Sequence, residues 1–192
     1  MNDSTPARPT FGPARYPADL ELGWLAADGT PVTLRALRPD DLDRELAFAA
    51  GLSEQTLHLR LQYSRKGITR EDAARLLQLD YVDTLAIGAF VASPGGEGLV
   101  GVSRYARVPA TDRAECAIVV ADDWQGRGLG TELMRSLGTA AQDRGIRSLE
   151  ASSLAENRRI HDWARRFGCE VRTEAHSGGL LLVTINLASF PS

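Results

Sequence analysis

Residues 122–133, DDWQGRGLGTEL, set glycine at 126, 128 and 130 immediately ahead of a run with helical spacing. Three alternating glycines leave almost nothing to pack, so the backbone is what this stretch presents. An apolar run, RAECAIVVA (113–121), precedes it, and Leu129, Leu133, Met134, Leu137, Ala140 and Ala141 recur after it as one helical face. The chain therefore passes from strand to turn to helix. The first amides of such a helix have no intrahelical acceptors and stand at the positive end of its dipole, which makes them a site for an anion. Gly126, Gly128 and Gly130 clear the approach, Thr131 adds a hydroxyl and Arg127 a charge. A tight turn that binds nothing is the alternative, and the loop alone leaves both open.

Two common phosphate motifs fail on spacing. A P-loop needs G-x-x-x-x-G-K-[ST], and the only lysine of the chain is Lys66, far from the loop. A dinucleotide fingerprint G-x-G-x-x-G needs glycine where Thr131 or Leu133 stands.

The rest of the chain reads as one domain, 20–192, after an extended or disordered arm, 1–19, with prolines at 6, 9, 13 and 17. Asp28-Gly29 marks a β-hairpin over 22–38. Pro39 with Asp40 and Asp41 opens a helix that Gly51 closes, and helices follow over 53–63 and 69–79, the latter with a Thr69–Asp72 capping box. Strand-like runs over 83–93, 98–108 and 113–121 are joined by short turns, as an antiparallel meander requires. After the loop helix come a strand (147–154), a helix (156–168) with Ile160, Ala164 and Phe167 inward, and two strands around a turn at 176–179. This order predicts an α/β fold with a mixed, mostly antiparallel sheet flanked by helices.

Composition excludes several classes of function. A net charge of −3 argues against general nucleic-acid binding. The longest apolar runs are too short to span a bilayer, and no secretory signal is visible, so a cytoplasmic location is expected. Cys116 and Cys169 lack C-x-x-C spacing, and the three histidines (58, 161, 176) lack metal-ligand spacing, so no metal is expected.

VVADDWQGRGLGTELM resembles the acyl-CoA-binding motif of the GNAT acetyltransferase superfamily, [QR]-x-x-G-x-[GA], met here by Gln125, Gly128 and Gly130. AENRRIHDWARRFGCEV resembles that superfamily's later motif. The resemblance implies the GNAT fold, with strands splayed at the acyl-CoA site. It implies that Gln125, Gly126, Arg127, Gly128, Leu129, Gly130 and Thr131 hold the coenzyme A pyrophosphate, and that Ile118, Val119 and Val120 hold the pantetheine arm by their backbone. Asn157 would contact the pantetheine or phosphate region. Arg158 and Arg159 are candidates for the adenosine 3′-phosphate, with a solvated helix face as the equal alternative. DGTPVTLRALRPDDLDRELAFAAGLSEQTLHLRL and AECAIVVADDWQGRGLG look like the catalytic domain of bacterial protein lysine acetyltransferases, which implies acetyl transfer from acetyl-CoA to a primary amine, a protein lysine.

That chemistry needs a neutral amine. A lysine ammonium titrates near 10.4, so the neutral form costs roughly 4.6 kcal/mol at pH 7, and a positioned base supplies about 10²–10⁴-fold. Glu115 matches the family's base and is expected to be partly sheltered. The alternative is a surface glutamate or a partner for Arg104 or Arg113. A backbone amide of the splayed strand, Val119 or one nearby, is the expected donor to the developing oxyanion. Ala164 stands where many relatives carry a tyrosine; His161, one turn earlier, is a substitute proton donor or, more simply, a surface histidine. Trp163 is expected to pack. A small-molecule amine acceptor, or an acyl-CoA-binding module without catalysis, are the competing functions. Glu54, Glu71, Asp72, Asp80 and Asp83 would suit a cationic acceptor.

Overall fold

Within the described residues, each run forms the element its periodicity predicts. The computed structural model describes residues 15–61, 68–173 and 180–190. β1 (Leu22–Leu25) and β2 (Pro31–Ala36) form the hairpin, and α1 (Leu42–Ala50), α2 (Glu54–Leu61) and α3 (Arg70–Leu76) follow. At the start of α3 the Thr69 hydroxyl accepts from the Asp72 amide (3.1 Å) while the Asp72 carboxylate accepts from Thr69. β3 (Thr84–Ser93), β4 (Gly96–Arg107) and β5 (Arg113–Val120) make the meander. α4 (Leu129–Asp143) crosses to β6 (Ser148–Leu154), and α5 (Arg158–Arg166), β7 (Glu170–Thr173) and β8 (Leu180–Asn186) complete the chain. The turn expected at 176–179 lies outside the described residues.

The strands form one eight-stranded sheet in the order β1-β2-β3-β4-β5-β6-β8-β7. Among the described strands only β5 and β6 pair parallel, because α4 carries the chain back across the sheet before β6 begins. That pairing is short. It runs from Arg113–Ser148 to Glu115–Glu150 and stops. Beyond it, β5 stays with β4 as far as Val120, and β6 stays with β8 as far as Leu154. The two strands part, leaving the edge of β5 from Cys116 onward without a neighbour on that side.

Helices cover both faces. On one, Leu129, Leu133, Met134 and Leu137 of α4 and Ala164 of α5 are buried with Ile87, Ala114 and Leu149 of the sheet. Ser103 fixes α4 there by donating to the Leu133 carbonyl (3.0 Å). On the other, Phe48 and Leu52 pack with Leu77, Ala86, Phe90 and Val102. No described helix is long and apolar enough to cross a membrane.

One expectation needs correction and another goes further than its sequence suggests. The arm does not extend to residue 19: Tyr16 packs edge-on against Tyr81 and donates to the Ala36 carbonyl (3.2 Å), and Ala18–Leu20 form a 3-10 turn. Residues 1–14 lie outside the described residues. Asp41 is more than a helix opener, since it is buried against Arg35, which donates to both its carboxylate oxygens at 2.8 Å.

Candidate functional site

The glycine loop adopts the strand-turn-helix geometry that its sequence predicts. Gly126 (φ +79°) and Gly128 (φ +89°) adopt the left-handed conformation, which costs other residues about 1–2 kcal/mol. Their turn delivers the start of α4 with its amides bare. Thr131 and Glu132 donate to the Gly128 carbonyl (3.0 and 3.2 Å). The amides of Gly126, Arg127, Gly128, Leu129 and Gly130 have no acceptor among the described residues. Five consecutive free donors at the positive end of a 15-residue helix suit a diphosphate.

Side chains around the loop are already engaged. Arg127 reaches Asp28 in the first hairpin (2.7 Å) and lies over the Trp124 ring. The Thr131 hydroxyl accepts from Trp163 Nε1 (3.0 Å), and Trp163 packs on Phe167 and Phe190, as expected of a structural tryptophan. Gln125 donates to the Val120 carbonyl (3.0 Å) and to Thr56 (3.3 Å), and accepts from Arg159. It therefore ties β5, α2 and α5 together at the mouth of the split. Asn157 caps α5, its carbonyl oxygen accepting from Ile160 at 3.4 Å. Arg158 is exposed.

β5 divides the residues assigned to it. Ala121 donates to the Val100 carbonyl (2.9 Å). By the two-residue alternation of an antiparallel ladder, the Val119 amide also faces β4, opposite Val102. The amides of Cys116, Ile118 and Val120 turn to the side β6 has left. The assignment of the Val119 amide to an oxyanion is corrected accordingly: Ile118 and Val120 present the open backbone. Val119 contributes its side chain to the opposite face instead.

On that face lies a cavity of about 450 Å³ between α1, α2, α3 and the β4–β5 floor, lined by Ala117, Val119, Val102 and Phe48 among others. Glu115 has the same parity as Ala117 and Val119 and stands where β5 and β6 separate, with Glu150 as its neighbour. It is exposed, not sheltered as expected. Neither alternative partner holds it. Arg104 pairs with Glu45 (2.6 Å), Arg113 pairs with Glu150 (3.0 Å), and Glu115 has no ion pair among the described residues.

The acidic residues assigned to a cationic acceptor are mostly committed elsewhere. Glu71 pairs with Arg75, Asp83 with Arg107, and Asp80 accepts from the amides of Val82, Asp83 and Thr84. Of the five, only Asp72 lines the cavity. What reaches its interior is Glu45, Arg60 and Arg104. The signal for Glu45 and Arg104 was available as charges at apolar periodic positions, Glu45 ahead of Phe48 and Ala49, and Arg104 within GLVGVSRYARV.

Asp122 was also missed. Its carboxylate accepts from the Ser53 amide (2.9 Å), the Ser53 hydroxyl (2.7 Å) and the Thr56 hydroxyl (2.7 Å), which docks the start of α2 beside the loop. Desolvation opposes ionisation, but those donors outweigh it and hold Asp122 below the usual carboxylate range. His161 is not a surface histidine. It is 3% exposed, its Nε2 has no partner among the described residues, and burial together with the Arg165 charge pushes its pKa down, which favours the neutral ring. No cluster of three or more His, Cys, Asp or Glu suited to a metal occurs among the described residues.

Comparison with known proteins supplies independent information. Residues 54–169 match the Acetyltransferase (GNAT) family. An acetyltransferase of Pseudomonas aeruginosa is 37% identical over 135 residues, covering 70% of this chain and 73% of that one. Acetyltransferase Pat of Mycolicibacterium smegmatis is 33% identical over 137 residues, covering 70% of this chain but 40% of its own length. Among solved structures, the GNAT domain of S. lividans PAT superposes with a TM-score of 0.81 at 26% identity, covering 90% of this chain and 99% of that chain.

Proposed function

The chain belongs to the GNAT acetyltransferase family, and from that premise we propose that it transfers an acetyl group from acetyl-CoA to a primary amine, a protein lysine, with Glu115 as general base. The observation that carries this reading is the run of five unaccepted amides, Gly126 to Gly130, beside the open edge of β5. The two together offer a pyrophosphate cradle followed by an extended rail for an amide-bearing arm. The resemblance of residues 28–61 and 114–130 to bacterial protein lysine acetyltransferases supports lysine as the acceptor.

Each residue then has a task. The loop amides hold the pyrophosphate, and Ile118 and Val120 offer backbone groups to the pantetheine arm. The Ile118 amide, free of the ladder, is the donor for the carbonyl oxygen as charge builds on it. Glu115 takes the proton from the acceptor ammonium, directly or through one water, on the cavity face of β5. Buried His161, its neutral ring favoured, gives the departing thiolate no charged acid. A thiol of pKa about 8–9 leaves without one.

Thermal unfolding and thiol release test this reading. Acetyl-CoA at about 100 times its Kd stabilises by about 2.7 kcal/mol, which raises Tm by roughly 5–10 °C for a domain of this size. Thiol release with lysine peptides falls about 10²–10⁴-fold in Glu115→Gln. An unchanged Tm sinks the acyl-CoA site. Equal thiol release by wild type and variant sinks the role of Glu115 and favours the acyl-CoA-binding module without catalysis.

A further inference from the structure

The cavity beside β5 carries a charge that the described residues lining it do not neutralise. Arg104 sits on its floor with Nη2 2.6 Å from Glu45 Oε1 and Nη1 3.2 Å from the Leu76 carbonyl. Glu45 is buried, and its second oxygen, Oε2, has no hydrogen-bond partner among the described residues. Arg60, from α2, lines the same space and makes no hydrogen bond or ion pair among the described residues. Asp72 and Arg75 stand at the more exposed rim, where Asp72 is held by Thr69 and Arg75 by Glu71. The interior thus contains two guanidinium groups and one carboxylate. Were Arg60 to swing onto Glu45 Oε2, one net positive charge would still remain, because that carboxylate already serves Arg104.

An arginine lining such a cavity does not escape this by losing its proton. Burial and the neighbouring Arg104 charge both push Arg60 toward the neutral form, and Glu45 only partly opposes them. The remaining remedy is an anion, and a planar guanidinium matches a carboxylate best. The surrounding wall of Phe48, Ala49, Leu52, Leu57 and Val102 is apolar and would strengthen such a contact by excluding water. A positive interior also disfavours an ammonium, which suits a site that must hold its amine neutral.

We propose that this cavity binds a carboxylate carried by the acceptor close to its reacting amine, with Arg60 as its partner. This rests on the acetyl-transfer reading of the same site. The carboxylate comes either from an acidic side chain flanking the target lysine or from a free amino acid. Both sources present the same chemistry to Arg60.

Two measurements test it. In the first, kcat/KM with acetyl-CoA is compared for a lysine peptide flanked by glutamate against glutamine, and for a free amino acid against its amide. The carboxylate member of at least one pair is preferred by roughly 10- to 100-fold. The pair showing it identifies the source. The preference collapses toward unity in Arg60→Gln and survives in part in Arg60→Lys. In the second, which needs no turnover, glutarate raises the Tm of wild type more than its monoamide does, and this difference is absent in Arg60→Gln. No carboxylate preference in either pair, a preference that persists in Arg60→Gln, or an Arg60-dependent preference for succinyl-CoA over acetyl-CoA overturns the proposal. Transfer without carboxylate preference leaves the acetyltransferase reading standing and removes this one. Arg60-dependent glutarate binding without transfer to any amine removes the acetyltransferase reading and this proposal with it.

Discussion

Replacing Asp41 by alanine removes the partner of a guanidinium that has nowhere else to go. Arg35 is 4% exposed and Asp41 is 0% exposed. The carboxylate accepts two bonds from Arg35 at 2.8 Å, one from the Arg38 amide at 2.9 Å and one from Arg44 at 3.2 Å. After substitution Arg35 keeps the Ala36 carbonyl at 3.2 Å, a long 3.5 Å contact with Glu97 and the face of Phe90, none of which replaces a buried counter-charge. Breaking such a pair costs about 3–5 kcal/mol. At roughly 2–4 °C per kcal/mol for a domain of this size, Tm falls by about 6–20 °C. Urea denaturation measures the loss directly, with an unchanged m-value showing that the unfolded state is not responsible. The double variant Arg35→Leu, Asp41→Leu recovers at least half the loss, because no charge is then left buried. Burial opposes ionisation of Asp41, but the Arg35 and Arg38 hydrogen bonds prevail and lower its pKa from the ordinary 3.8. Its contribution is therefore present above pH 3.8 and is lost as pH falls through the lowered folded value. A loss below about 1 kcal/mol in Asp41→Ala, or a double variant no better than the single, refutes the reasoning.

Gly128→Ala places a side chain at φ +89°, with its Cβ 3.5 Å from Trp24. Stability falls by about 1–2 kcal/mol, and the Kd for acetyl-CoA, read by titration calorimetry, rises as the loop amides turn away; unaltered affinity argues against the cradle. Burial pushes the Cys116 thiol up to about 12, so its alkylation by iodoacetamide at pH 8 is roughly 10³-fold slower than that of a free thiol, and mass spectrometry of the native protein shows it unmodified. Asp122→Asn weakens the docking of α2, and hydrogen exchange at the Ser53 and Thr56 amides speeds up. Wild type shows the same change as pH drops below 3.8 through the lowered pKa of Asp122, since its ionised form is the one that accepts these bonds.

Local rules alone determined a good part of this protein. Period-two and helical runs, the Asp28-Gly29 turn and the Thr69–Asp72 box depend on residues within a few positions of one another, and each stands where the pattern put it. The glycine loop is legible for the same reason, because left-handed φ and bare helix amides are properties of the loop itself. Tertiary structure decided whatever depends on register and on distant neighbours. Whether Ile118 or Val119 turns its amide to the open edge follows from which β5 residues pair with β4, and a shift of one residue would reverse it. His161 differs from a surface histidine only through its packing, and Tyr16 from a disordered arm only through Tyr81. The same holds for Arg60, Arg104 and Glu45, which three separate elements bring into one cavity. Charge can be counted along a chain, but its solvation and its partners exist only once the chain has folded around it.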